Sequence, residues 1–302
     1  MSFTFTVPHA TVPSGGFDLL ARSMSRPLAT SGDTGSWPPG LLLAYSPGTS
    51  TRPIELDAGD GRFEVRVLAC ATRDDHLLGA AMARRAAIDW GEGSVVLDGE
   101  DTISADEVPA RCDREWAHGL IAAGAMAVER AAAGLEPGQL VRMAGPVRTF
   151  ALGPRLLSQL RTGPDVDFAE RLLGAMQRTQ WPGDCRIPSV MRVTDPAGDG
   201  HRRFAVLSAG AATLIPDVDA VAVLVAGGGS MVEIEPDRLV ELLPGRAQHL
   251  DEVQVLVQPL DGDELADLAG RAAGTPPAAA PAPAEGSASP PAEPPRRFAV
   301  GE

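Results

Sequence analysis

The sequence predicts an α+β protein, and three observations carry that expectation. A single stretch, Arg62 to Gly99, reads as strand, helix, strand with the punctuation each element needs. Further strand-like and helix-like runs follow one another without the regular β–α alternation of a doubly wound sheet. Apolar residues make up 44% of 302 residues, enough to bury a sizeable core, and no fixed-period repeat is present.

In the first stretch Phe63, Val65 and Val67 alternate with Glu64 and Arg66, the period of a half-buried strand. Thr72 and Asp75 have capping-box spacing at the head of a helix. Leu77, Ala81 and Ile88 share one helix face with Leu78 and Met82 beside it, which predicts that face as the buried one. Gly91 and Gly93 close the helix and Val95 to Leu97 starts a second strand, so the unit predicts two parallel, paired strands joined by a crossover.

Taken in order, Ser2 to Val7 is a strand with Phe3 and Phe5 on one face, and a loop-rich segment from Pro13 to Gly40 holds a short helix at Phe17 to Ser23. Leu41 to Tyr45 and Thr51 to Leu56 are strands. Ser104 and Glu107 repeat the capping-box spacing, and from Arg111 to Ala133 a helix presents Trp116, Leu120, Ala123, Ala127 and Ala131 in a row. Leu140 to Leu152 is a strand broken near Gly145 and Pro146; Pro154 opens a helix to Leu160, and Asp167 opens another carrying Phe168, Leu172 and Met176. Strands follow at Ile187 to Val193 and Arg203 to Leu207. Ala220 to Val225 and Met231 to Ile234 form a hairpin, Pro236 to Leu243 a helix, Val253 to Val257 a strand, and Asp263 to Ala273 a last helix. The organisation expected is one α+β lobe over 1–138, a second over 139–274, and a Pro/Ala-rich tail over 275–302 whose composition predicts an extended linker.

Formal charge is −14 with an isoelectric point near 4.8, which excludes a general nucleic-acid binder, since phosphate contacts need positive faces. Aromatic residues reach only 4%, too few for a base-stacking surface. Every Lys/Arg-type cation is arginine, the usage of a GC-rich bacterial genome. Three widely spaced cysteines (Cys70, Cys112, Cys185) form neither a disulfide framework nor a metal knuckle and suit a reducing cytoplasm. The N-terminus has no signal-peptide pattern, and the most apolar helical stretch, Ala117 to Val128, is about half a membrane span, so no membrane association is expected.

Cys70, at a strand end before a helix N-terminus, is the candidate nucleophile, because a helix dipole favours the thiolate; the competing reading is a small buried hydrophobe. A phosphatase-like loop would place Arg six residues on, where this chain has His76. Glu115 and His118 have the Glu-x-x-His spacing of di-iron bundles, but no second pair exists. Asp98, Glu100, Asp101, Asp106 and Glu107 crowd one connection without EF-hand spacing, which reads as a solvated loop and cap. Gly227 to Gly229 precede a strand rather than a helix, the context of a hairpin and not of a phosphate cradle. His9, His201 and His249 are isolated in sequence, and Trp90, Trp116 and Trp181 sit near element ends as packing residues. Neither cofactor nor metal is expected.

The tail ends in Arg296, Arg297, Phe298, Ala299, Val300, Gly301 and Glu302. Arg297 to Gly301 resembles the C-terminal targeting peptides of encapsulin cargo proteins, short apolar segments that dock on a shell's inner wall. The resemblance covers about seven residues. It implies a protein partner engaged through Arg297, Phe298, Val300 and Gly301. The function expected is a non-catalytic binding or assembly protein; an enzyme using Cys70 and an immunity- or antitoxin-like partner of a basic protein are the alternatives.

Overall fold

A computed structural model describes residues 2–32, 34–35, 37–136, 138–162, 167–194, 200–224 and 231–274. The tail, including Arg297, Phe298, Val300 and Gly301, lies outside them, as do Gly227 to Gly229. The fold is α+β.

The first body runs β1 (Ser2–Pro8), α1 (Gly16–Ser23), β2 (Ala29–Ser31), β3 (Gly40–Tyr45), β4 (Ile54–Gly59), β5 (Arg62–Leu68), α2 (Arg73–Asp89), β6 (Ser94–Leu97), β7 (Asp101–Ser104), α3 (Val108–Arg111) and α4 (Arg114–Ala133). Its seven strands form one sheet in the order β2-β3-β4-β5-β1-β6-β7. The crossover strands β5 and β6 are therefore parallel but not paired, which corrects the expectation. The N-terminal strand lies between them, antiparallel to both, with Phe5 opposite Val65 on one side and Leu97 on the other. Phe5 is fully buried there with Val7, Phe63, Val65 and Val67.

The buried face of α2 is also not the one expected. Asp75, Leu78, Gly79, Met82, Ala83 and Ala86 are buried, whereas Ala81 and Ile88 face solvent and Leu77 is half-buried. Close approach decides this: a Cβ built on Gly79 would fall 2.4 Å from Val67 Cγ2, so the helix lies on the sheet by its smallest residues. In α4 the buried row is Ala117, Ile121, Gly124, Ala125 and Ala132, one residue on from the row expected, because Gly124 meets the backbone at Cys70. Strands β2 and β7 carry no sequence signal of their own and exist by pairing to β3 and β6.

The middle of the chain supplies the hairpin β8 (Val141–Ala144) and β9 (Thr149–Leu152), then α5 (Pro154–Arg161) and α6 (Phe168–Gln180). They share a core with Cys70 and the second half of α4: Ala125, Ala132, Phe150, Leu156, Leu172 and Met176. The first half of α4 belongs to the N-terminal body, where Trp116 packs edge-on to Phe3 at 5.1 Å. Thus α4 is common to two cores.

The last part comprises β10 (Val190–Thr194), β11 (His201–Leu207), β12 (Thr213–Ile215), β13 (Ala220–Leu224), β14 (Met231–Ile234), α7 (Pro236–Leu242), β15 (Ala247–His249), β16 (Val255–Val257) and α8 (Gly262–Ala273). The four-stranded sheet runs β10-β11-β13-β14, and β12-β16-β15 make a separate sheet. Helices α7 and α8 cover one face of the four-stranded sheet through Leu239, Leu265 and Leu268, against Ala205, Leu207, Val221 and Val223. No helix among the described residues is long and apolar enough to cross a membrane.

Candidate functional site

The chain leaves β5, places Cys70 in the left-handed region at φ 61°, and enters α2 at Thr72. The turn between β3 and β4 folds over this corner. Asp75 is its centre: Oδ1 accepts from Ser50 Oγ at 2.5 Å, and Oδ2 accepts from Thr72 N at 2.9 Å and Thr72 Oγ1 at 2.8 Å. The Thr51 backbone N–H bonds it as well. Burial pushes the Asp75 carboxyl above its ordinary range, and these four donors oppose that. Thr51 Oγ1 donates to the Cys70 carbonyl at 2.7 Å, and Arg52 Nη1 to that of Ala69 at 3.2 Å.

Cys70 itself is 1% exposed, and burial pushes its thiol up to about 11, with the Arg52 charge pulling the other way. Desolvation outweighs the helix dipole, so the thiol is protonated and enclosed, which is the environment of a core residue rather than a nucleophile. Cys112 is likewise pushed to about 11 by burial.

His76 follows Asp75 and is 2% exposed, with Trp116 edge-on at 5.9 Å. Neither ring nitrogen has a hydrogen-bond partner among the described residues, and burial pulls its pKa down to about 4. The folded state therefore binds this proton less readily than the unfolded chain. His76 leaves stability intact above about pH 6.5 and removes about 3 kcal/mol as pH falls from there to about 4. Asp75 acts with the opposite sign, its raised carboxyl gaining a proton more readily in the folded state. The difference between wild type and His76→Leu isolates the histidine. The variant is expected to lose that decline between pH 6.5 and 4 in urea unfolding, and parallel curves would refute the assignment.

A second cluster was invisible in the sequence. Arg155 at the head of α5 donates Nη1 to Asp237 Oδ1 at 2.6 Å and to His249 Nε2 at 2.8 Å, and Nη2 to the Asp251 and Glu252 carbonyls at 3.2 and 2.5 Å. Glu252 caps α5, accepting from the backbone N–H of Arg155 and Leu156. The cap residue Gly153 has no side chain to do so, and a Cβ there would sit 2.6 Å from Glu252. Asp251 is fully buried and accepts from Ala151 N, Val253 N, Gln254 N and Gln254 Nε2. Desolvation, then the Arg155 charge, pulls the His249 pKa down, so His249 is the neutral acceptor. The cluster joins the middle of the chain to its last part, while Arg155 Nε and His249 Nδ1 stay buried without a hydrogen-bond partner among the described residues. The sequence offered Pro154 as a helix start and His249 as an isolated histidine, with nothing to connect the two.

The remaining candidates are not brought together. Glu115, His118, His9 and His201 are exposed and separate. Asp101 and Asp106 pair with Arg111 and Arg84, and Glu107 accepts from Ser104 N and Oγ. Among the described residues no His, Cys, Asp and Glu side chains gather in a group of three that could hold a metal ion. Trp90 packs edge-on to Phe63, and Trp181 donates Nε1 to the Ser50 carbonyl at 2.9 Å.

Among the open surfaces of the described residues, two stand apart from these clusters. A cleft of about 650 Å³ lies on the outer side of α2, with Leu77, Leu78 and Ala81 on its floor and Arg26, Arg84, Arg85 and Arg114 around it. Three of these arginines already pair with Asp74, Asp106 and Asp89.

The other surface is the β10 edge of the four-stranded sheet. All five β10 residues are exposed, Val193 at 50% and Met191 at 42%, and Ile187 just before them is 51% exposed. Met191 lies opposite Phe204 and Val193 opposite Arg202, on the face turned away from α7 and α8. A groove of about 390 Å³ runs beside them, lined by Ile187, Pro188, Met191 and Val206 with Arg186 and Ser208. β10 pairs only with β11, so its outer side is unpaired among the described residues.

No family model, curated protein or solved structure matches the chain.

Proposed function

We propose that this chain is a non-catalytic binding or assembly protein that engages a protein partner through the β10 edge. The observation that carries the reading is the exposure of every residue of an apolar edge strand beside an apolar groove. An edge strand presents a row of backbone N–H and C=O groups, and soluble proteins normally blunt it with charge, proline or a covering element. Here Arg192 is the single charge within the strand. Exposed apolar surface of this kind marks an interaction site, and pairing along an edge supplies affinity from the backbone and selectivity from alternate side chains. The enclosed Cys70 supports the same reading by withdrawing the candidate nucleophile.

The test is capture of binding proteins by the chain ending at Gly274, with and without Met191→Asp and Val193→Asp. Among the described residues the buried core residues lie between Phe5 and Ala269, all of which this truncation keeps. Both aspartates replace exposed side chains, so stability is expected to stay within about 0.5 kcal/mol. Recovery of the edge-dependent partner should fall at least tenfold. Equal recovery by both proteins would sink the reading.

A further inference from the structure

The geometry points to the cleft on the outer side of α2 as a second docking site, one that takes an acidic amphipathic helix carried by a partner protein. The cleft lies in the N-terminal body, apart from the β10 edge, and stands or falls independently of that edge.

Three observations lead to it. First, α2 is apolar on two faces. Leu78, Gly79, Met82 and Ala86 are buried, yet the outward face still carries Leu77, Ala81 and Ile88, the last 47% exposed. A helix apolar on both sides calls for a packed layer on each, and here the sheet supplies only one. Second, the cleft has the form of a helix seat. Its floor follows α2 from Asp74 to Arg85, about 16 Å at roughly 1.5 Å per residue, or three turns. Ala80 and Ala81 leave a gap between Leu77 and Arg84, and a side chain of an incoming helix fills such a gap when two helices pack. Met24 after α1 and Val108 and Pro109 of α3 add apolar contact. Because the cleft is open along one side it covers one face of its occupant, whereas small-molecule pockets enclose most of their ligand.

Third, the charge around the cleft is opposite to that of the chain. The chain carries −14, yet Arg26, Arg84, Arg85 and Arg114 line the cleft with only two carboxylates, Asp74 and Asp113. Asp113 is engaged in capping α4, and Arg114 pairs with no carboxylate among the described residues. The pairs made by Arg26, Arg84 and Arg85 are exposed and hold weakly, so incoming carboxylates can take them over. An apolar stripe at i, i+3, i+4 and i+7 then meets the floor, and glutamates beside it meet the arginines.

Fluorescence anisotropy on the full chain tests this. The probes are a fluorescein-labelled helical peptide with Leu at i, i+3, i+4 and i+7 and Glu at the flanking positions, and the same peptide with Lys for every Glu. Nonspecific attraction to a chain of −14 favours the Lys peptide, so roughly tenfold tighter binding of the Glu peptide at low salt is the discriminating result expected. Arg85→Glu combined with Arg114→Glu should weaken the Glu peptide roughly tenfold, and so should Ala81→Glu alone. All three side chains are exposed, so the fold is expected to hold. Met191→Asp with Val193→Asp should leave this affinity unchanged, which separates the cleft from the β10 edge. No saturable binding of the Glu peptide, or equal affinity for the Lys peptide, overturns the site. Binding that survives the cleft substitutions but is lost in the β10 variant overturns it too and places the helix at the edge. If dodecanoate binds in an arginine-dependent way while the Glu peptide does not, the cleft belongs to a small anionic amphiphile and the helix proposal falls.

Discussion

Asp75→Ala is expected to cost about 2–4 kcal/mol, because it leaves buried hydroxyl and backbone donors without their acceptor at roughly 1–3 kcal/mol each. The carboxylate is 1% exposed and gathers donors from three places in the chain: Ser50 Oγ, the Thr51 N–H, and the N–H and Oγ1 of Thr72. Alanine leaves all four without their acceptor and removes one half of the capping box of α2. It also frees the β3–β4 turn, whose Thr51 and Arg52 hold the backbone around Cys70. Asn is expected to recover only part of the loss, since its amide turns an NH2 toward donors. Guanidinium unfolding followed by tryptophan fluorescence reads the effect, because Trp116 and Trp181 both border the corner. Against a total stability of about 5–15 kcal/mol for a typical domain, a loss of this size is a large fraction of the whole. A loss under about 1 kcal/mol would mean that Asp75 is not what ties the turn to the helix.

Gly79→Leu should be nearly as damaging, at about 3 kcal/mol. A Cβ at this position already meets Val67 Cγ2 at 2.4 Å and approaches Val65 and Phe5 at 3.6 and 3.7 Å. All three neighbours are fully buried in strands of the central sheet, so none can yield without disturbing β1 or β5. Leucine is the better helix former by several tenths of a kcal/mol, and overpacking must overcome that gain. Opening space with Val67→Ala in the same chain should return about 1 kcal/mol relative to the sum of the single changes, the mark of direct contact. Additive losses, or a Gly79→Leu protein as stable as wild type, would show that α2 can lift from the sheet freely.

These two residues show where the sequence spoke and where it did not. Thr72 and Asp75 announced a helix start by spacing alone, because a capping box is satisfied by neighbours in the chain. That the same carboxylate also binds Ser50 and Thr51 depends on a turn some 25 residues away, and no local pattern encodes it. Gly79 was passed over in favour of the larger Leu77 and Ile88. Hydrophobicity ranked the faces of α2, but the distance of closest approach to β5 chose between them, and only the smallest residues fit that distance. Cys70 followed the same logic. Its position before a helix argued for a thiolate, and the packing of Gly124 and Ala125 from α4 turned it into a core residue.

By itself the sequence determined the α+β class, nearly every helix, the longer strands and the β13–β14 hairpin, because caps, prolines and short periods are local physics. Tertiary structure alone decided that β1 separates the crossover strands, that Arg155, Asp237 and His249 meet, and that β10 keeps its apolar side chains in the open. Each of these depends on which distant backbone occupies the neighbouring strand position, and strand pairing is a contest among non-local partners that alternation along one segment cannot settle.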